Sequence, residues 1–349
     1  MQAVVFTEND SESTLHLAEL PLPQLPQSPN KADNPENRSV RVKLSSIGLN
    51  RADTLFPQGR YFFKPVFTSL ASGSGDNGYC RLGFEGAGVI DAVNKGSAFK
   101  VGDRVAILPL KFDVSKQGCL AEYGIYDESI LIPSPESVSD ELTGAIWMQY
   151  LTAWGGLVTD GQLQESQTVV ITAASSSVGI AAIQIAKMLG ATAIATTTSD
   201  EKVLQLKALG ADHVINMKTD DYVENIKAIT HNKGTDLVFD AVAGPATRGL
   251  VQGSARGGKI IIQGMLDRRP MDIHAGVLMK RLLTVKGFTL DLLLDNPTQL
   301  KQAIEHVTEG LNNGKLKPII AKQFPINQFE DALLLLKSNK HTGKIVVNP

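Results

Sequence analysis

Between residues 45 and 62 the chain reads SSIGLNRADTLFPQGRYF and gathers side chains able to do chemistry: Asn50, Arg51, Asp53, Arg60 and Tyr61. An amide, a carboxyl, two guanidiniums and a phenol cover every hydrogen-bonding role, and a phenol can also give a proton to an atom that gains charge. Further on, Glu85 lies beside three glycines in LGFEGAGVI, residues 82–90. A carboxylate there is either solvated or paired with a nearby cation.

The second stretch with chemistry is TVVITAASSSVGIAAIQIAKMLGA, residues 168–191. A β-branched run, Thr168–Thr172, suits a buried parallel strand. Ala173–Ser177 are all small, and from Gly179 apolar residues recur at near-helical spacing until Gly190. A small-residue turn feeding a helix N-terminus can hold a dinucleotide pyrophosphate, because free N–H groups and the helix dipole favour the negative charge. In the G-x-G-x-x-G frame the three positions are Ala174, Ser176 and Gly179, so the fingerprint is partial. A second apolar strand, Ala193–Thr196, ends about 20 residues past the turn, where Rossmann folds read the adenosine ribose. Thr197, Thr198, Ser199 and then Lys202 follow it. Hydroxyls and a cation suit a ribose 2′-phosphate, so NADP(H) is expected over NAD.

These residues must be positioned by a chain of 349 residues, enough for about two domains. Apolar residues make up 43% and charged residues 20%, as in an ordinary globular protein. A net charge of −2 gives nucleic acid or an anionic membrane no electrostatic hold. Cys80 and Cys119 are too few for a disulfide framework, no basic segment precedes an apolar one at the start, and no apolar run approaches the ~18 residues needed to span a bilayer. A cytoplasmic protein is expected. The six histidines, His16, His213, His231, His274, His306 and His341, are scattered and include no pair at metal spacing.

Residues 1–135 read as mostly β, with turn signals every ~8–12 residues, as in a barrel-like or sandwich module. Pro21–Ser39 reads as a surface loop and Phe62–Cys80 as a long loop with a flexible GSGDNG at 73–78. Ser139–Thr159 reads as a helix capped by Ser139. From there to residue 310 strands and helices alternate, which predicts a doubly wound parallel sheet. The tail, strand–helix–strand, is unlike another Rossmann unit and is expected to complete the first module. The expectation is an α/β protein with a β-rich catalytic domain at 1–135 completed by 311–349, and a nucleotide-binding domain at 136–310.

Five stretches in this order, GLNRAD (48–53) with QGRY (58–61), GFEGAGVI (83–90), LTAWGGL (151–157), VVITAASSSVGIAAIQIAKMLGA (169–191) and HTGKIVV (341–347), resemble the medium-chain dehydrogenase/reductase superfamily, and within it the zinc-independent quinone oxidoreductase-like group. The resemblance covers nearly the whole length. It implies a GroES-like catalytic domain, a Rossmann domain, an active-site cleft between them, and a homodimer or homotetramer. The last Rossmann strands, near Lys259–Leu266 and Leu282–Leu290, are then the expected dimer edge.

Zinc-dependent members carry Cys where this chain has Asn50, His where it has Phe84, and commonly Cys or Asp near Met148, so no metal is expected. The chemistry that stays easy without a Lewis acid is hydride transfer from NADPH to a quinone or an α,β-unsaturated carbonyl. By the resemblance, Asn50 points into the cleft as a hydrogen-bond donor, and Asp53 fixes the local backbone or pairs with Arg51. N-x-x-D followed by Q-G-x-Y also resembles enoyl thioester reductases of the same superfamily, where the residue matching Tyr61 is the proposed proton donor. The same carry-over assigns Thr152 to the nicotinamide ribose region and the backbone of Ser176, Ser177 and Val178 to the pyrophosphate. It assigns Thr198, Ser199 and Lys202 to the 2′-phosphate. The resemblance also counts Val242, Gly264 and Phe288, at carboxyl ends of strands, and Lys344, at a position facing the cleft, among the cofactor-binding residues. Many relatives have Tyr where this chain has Met217. An enoyl thioester reductase and a non-catalytic NADPH-binding sensor or structural protein are the alternative readings.

Overall fold

The computed structural model describes residues 1–7, 14–26, 38–68 and 78–349. Residues 27–37 of the expected loop at 21–39 and residues 73–77 of the GSGDNG segment lie outside the described residues. The chain forms two compact units, Met1–Met148 with Ile320–Pro349, and Gln149–Ile319.

The first unit opens with eight strands: β1 (Gln2–Thr7), β2 (His16–Glu19), β3 (Ser39–Gly48), β4 (Tyr79–Arg81), β5 (Gly86–Val93), β6 (Arg104–Ile107), β7 (Tyr123–Asp127) and β8 (Leu131–Pro133). β1 pairs antiparallel with β2 and β4 in a small sheet. β3 is the backbone of the larger sheet. Its residues alternate along the strand, with Val40, Val42 and Leu44 buried and their neighbours more exposed, which is the two-residue period of a sheet with one covered face.

The second unit carries β9 (Thr168–Ile171), β10 (Thr192–Thr197), β11 (His213–Asn216), β12 (Thr235–Asp240), β13 (Ser254–Ile262) and β14 (Thr284–Gly287). All pair in parallel, in the order β11-β10-β9-β12-β13-β14. This is the doubly wound order with the chain switching sides at β9, the point where open α/β sheets bind ligands. The strands are apolar on both faces. Val170, Ile194, Val238 and Ile260 pack with Tyr222, Ile226, Leu250 and Val251 in one core. The chain then returns to the first unit as β15 (Ile320–Pro325) and β16 (Lys344–Asn348), and the larger sheet runs β15-β16-β3-β5-β6-β8 with β7 also on β3.

The unit boundaries, expected at 135/136 and 310/311, fall instead at 148/149 and 319/320. The expected helix Ser139–Thr159 explains the first shift. Thr143–Ala145 is a 3₁₀ turn, the α-helix is Trp147–Trp154, and Gly155–Asp160 is a π-helix. The early residues are bound to β3: Ser46 Oγ donates to the Glu141 carbonyl at 2.8 Å and accepts the Gly144 N–H at 3.1 Å. Ser139 therefore caps no helix, and 139–148 stays with the β unit.

Candidate functional site

In the first unit the site begins where β3 ends. Asn50 is extended, and a short helix, Arg51–Leu55, follows it. The Asn50 N–H donates to Asp53 Oδ2 at 2.7 Å, half of a reciprocal cap that fixes the turn. Sheet register brings two further residues here. β16 places Val346 opposite Gly48, so two residues earlier Lys344 meets Asn50. β5 places Ala87 opposite Ser46, so Glu85 meets Gly48. A Cβ on Gly48 would lie 2.6 Å from Lys344 Cε and 2.7 Å from Glu85 Oε1, so the missing side chain makes the room in which the two ions meet.

Lys344 Nζ donates to Glu85 Oε1 and, at 2.6 Å, to Asn50 Oδ1. Asn50 Nδ2 donates to the Gly48 carbonyl at 3.0 Å and to Glu85 Oε1 at 3.1 Å, and the Met148 N–H donates to Glu85 Oε2 at 2.9 Å. The two charged side chains are 0% and 2% exposed. Asn50, expected as a donor to a substrate, is here the bridge between ammonium and carboxylate. Lys344, expected at the cofactor, is enclosed in the ion pair. Asp53 does not pair with Arg51, whose guanidinium donates to Asn339 Oδ1. Asp53 is fully buried, and burial pushes its carboxyl up to about 7 against the pull of the Asn50 N–H and the Lys344 ammonium.

Tyr61 is half-buried in a row of aromatic rings. Its ring meets Phe62 at 5.1 Å, Phe63 at 5.2 Å and Phe84 at 5.1 Å, each edge to face. Phe84 continues to Phe56 at 5.5 Å and Phe56 to Phe6 at 6.1 Å, so the row is anchored in the core while Phe62 stands 81% exposed. At two positions where the resemblance places zinc ligands this chain has Asn50 and Phe84, and a phenyl ring offers no donor atom; an ammonium lies between Glu85 and Asn50, and no three of His, Cys, Asp and Glu converge among the described residues.

In the second unit β9 leads through the turn 172–176 into the helix Ser177–Met188. Ser176 caps it, its Oγ accepting the Gly179 N–H at 3.1 Å. The N–H groups of Ser177 and Val178, in the same first turn, have no acceptor within the helix. A Cβ on Gly179 would lie 2.7 Å from Ala174 Cα, so the helix packs on the turn as closely as a dinucleotide cradle requires. Lys202 Nζ reaches the same turn, 3.0 Å from Ser175 Oγ, and partial burial pulls its ammonium down. At the end of β10, Thr197 Oγ1 accepts the Ser199 N–H at 3.2 Å, and Thr198 is exposed. The residues present therefore fit a dinucleotide phosphate. Met217, where the resemblance leads one to expect Tyr, packs on the core that holds Ile215 of β11.

The remaining expected contacts divide. Val242 and Gly264 are half-buried at the carboxyl ends of β12 and β13. Phe288 is a core residue: a Cβ on Gly155 would lie 2.5 Å from its Cζ, and its N–H is bonded to the Ile262 carbonyl. Thr152 is buried in the helix Trp147–Trp154. Residue types mark Glu85 as a carboxylate seeking a cation, but not which cation.

Residues 36–136 match the alcohol dehydrogenase GroES-like domain, and residues 177–309 the zinc-binding dehydrogenase family. A component of the Mycobacterium tuberculosis phenolphthiocerol/phthiocerol polyketide synthase is 31% identical over 91% of this chain, but the chain spans only 14% of that protein. Homo sapiens quinone oxidoreductase is 27% identical over 90% of each chain. Among solved structures, an NAD-dependent alcohol dehydrogenase is 29% identical with a TM-score of 0.85 over all of both chains. A Pseudomonas syringae quinone oxidoreductase is 28% identical with a TM-score of 0.81 over 100% of this chain and 99% of its own. Two matched domains in one order, on a GroES-like β unit and a doubly wound parallel sheet, make this chain a member of the medium-chain dehydrogenase/reductase superfamily, similar to its quinone oxidoreductase-like group.

Proposed function

We propose that the protein is an NADPH-dependent oxidoreductase that reduces a quinone or an α,β-unsaturated carbonyl without zinc. The observation that carries this is the buried Lys344 ammonium between Asn50 and Glu85, among the positions that zinc-dependent members use for metal ligands. A site so occupied supplies no Lewis acid to polarise an alcohol, so the acceptor must already be electrophilic. NADPH, when bound, supplies the hydride. The N–H groups of Ser177 and Val178, with the positive end of their helix, take the pyrophosphate, and Thr198, Ser199 and Lys202 take the 2′-phosphate. Val242 and Gly264 support the nicotinamide half, with Thr152 at its ribose. Tyr61 gives its phenolic proton to the oxygen or α-carbon that has gained charge. Asn50 and Asp53 hold the helix that precedes it.

A second reading, reduction of an enoyl thioester, is favoured by the matches to segments of polyketide synthases. Small-molecule acceptors suit either. Nothing in a net charge of −2 favours nucleic acid, and no helix among the described residues is long and apolar enough to cross a membrane. A homodimer or homotetramer, joined along the β14 edge, completes the reading.

The test is the oxidation of NADPH, followed by its near-ultraviolet absorbance, with a benzoquinone, a naphthoquinone, an enone and a short enoyl thioester, and with NADH in parallel. Turnover of quinones or the enone, roughly tenfold more efficient with NADPH than NADH and lost on Lys202→Ala, is expected. Equal efficiency with NADH, the cofactor named for one solved neighbour, would overturn the NADPH assignment. Preference for the thioester would establish the second reading. Tight NADPH binding with no turnover would leave a sensor.

A further inference from the structure

Asp240 closes β12 at the ligand-binding edge of the parallel sheet and is completely buried. Its carboxylate meets three neutral donors. Oδ1 accepts the Thr172 hydroxyl at 2.6 Å and the Val242 N–H at 2.9 Å, and Oδ2 accepts the Ala243 N–H at 3.0 Å. Thr172, just past β9, in turn accepts the Ala241 N–H on its own oxygen at 2.8 Å. The carbonyls of the same residues are held from the other side. Those of Asp240, Ala241 and Val242 accept the N–H groups of Gln263, Leu266 and Asp267 at 2.8, 3.2 and 2.9 Å. Ala243 is forced to φ 59° and ψ −144°, a conformation that glycine adopts freely and alanine does not. Gly264 abuts this turn so closely that a Cβ would lie 2.8 Å from the Ala241 carbonyl oxygen.

A sheet end needs neither a buried charge nor a strained alanine in order to fold. Both are unfavourable, and both act on the same four residues. A carboxylate is the one side chain of this size that accepts from three donors while offering none. An asparagine would turn an NH₂ group toward one of those N–H groups. We infer that Asp240 is a positioning residue for the cofactor. It fixes the paired strand ends carrying Val242 and Gly264, and so sets where the nicotinamide half of the dinucleotide comes to rest. This rests on the cofactor reading above, and it requires no contact between Asp240 and the cofactor.

The experiment is a fluorescence titration of NADPH into the full-length wild type, Asp240→Asn, and the double variant Asp240→Asn with Ala243→Gly, alongside steady-state rates and thermal denaturation. Asp240→Asn is expected to weaken NADPH binding about tenfold while the KM of the acceptor stays within about twofold. The double variant, relieved of the left-handed alanine, should regain melting temperature but not affinity. Unchanged NADPH affinity in Asp240→Asn would overturn the inference. So would wild-type affinity in the double variant, since the loss would then be one of stability alone. A wild type that binds neither NADPH nor NADH would instead bring down the cofactor reading, with this inference alongside it.

Discussion

Lys344 and Glu85 are fully withdrawn from water, and each is tolerable only because the other is there. Lys344→Met should leave a buried carboxylate without its cation and cost about 3–5 kcal/mol in urea unfolding. Adding Glu85→Gln should recover most of that loss, and a single variant within about 1 kcal/mol of wild type would mean the pair is not coupled. Asp53 makes a different prediction at the same scale. Its carboxyl is raised to about 7 in the folded chain, whereas an unfolded aspartate titrates near 4. The folded state therefore holds this proton more tightly. The stability it contributes is whole below about pH 4 and is lost as the pH rises through about 7. Asp53→Asn, which cannot ionise, should flatten the stability profile between those values, and an unaltered slope would place the titration elsewhere. For Tyr61, the proposed role as acid predicts that Tyr61→Phe lowers kcat about a hundredfold with little change in KM. Undiminished turnover would reduce the ring to a wall beside Phe84.

At the scale of elements, the ion pair depends on β3 ending in a glycine. Gly48→Ala would set a methyl 2.4 Å from the Gly144 carbonyl oxygen as well as against both ions, and backbone cannot move aside as a side-chain tip can. A loss of at least about 2 kcal/mol is expected by thermal unfolding, and a variant as stable as wild type would contradict the packing described. The same element shows what the chain discloses before folding. The alternation along β3, the strand–turn–helix at 168–188 and the strand–helix rhythm of the second unit are local patterns, and the structure contains each. The partner of Glu85 is not local. Lys344 lies 259 positions away and meets it only through the register of β16 on β3 and of β3 on β5, which no periodicity records. The helix expected at 139–159 starts late, at Trp147, for a related reason. Its first half is apolar enough for a helix, but a Cβ on Gly144 would lie 2.1 Å from the Ser46 carbonyl oxygen, so contact with β3 dictates the backbone there. Its second half widens into a π-helix where Gly155 and Gly156 receive the rings of Phe288 and Phe239.

For the molecule as a whole, the two cysteines serve as internal probes. Cys80 and Cys119 are buried, and burial pushes their thiols up to about 11 and about 12, so neither is a thiolate at neutral pH. A thiol reagent should find none in the native protein and both after denaturation; rapid native labelling would show that the first unit opens readily. The assembly proposed above can be argued from the second unit alone. Among the described residues β14 is the last strand of its sheet, paired with β13 only, and Thr284, Lys286 and Gly287 are exposed along it. Met279 and Leu282, just before it, are 70% and 60% exposed, and Met265 and Leu266, just after β13, 60% and 47%. An open strand edge next to apolar side chains invites pairing with another chain, and a second copy of the same edge can supply both the hydrogen bonds and the apolar cover. Light scattering at micromolar concentration is expected to give twice or four times the chain mass. Val285→Pro, which removes a ladder N–H from that strand, should shift the protein to the monomer without loss of NADPH binding. A wild type that is monomeric under these conditions would mean that the edge is left to water and that the exposed methionines and leucines serve another surface.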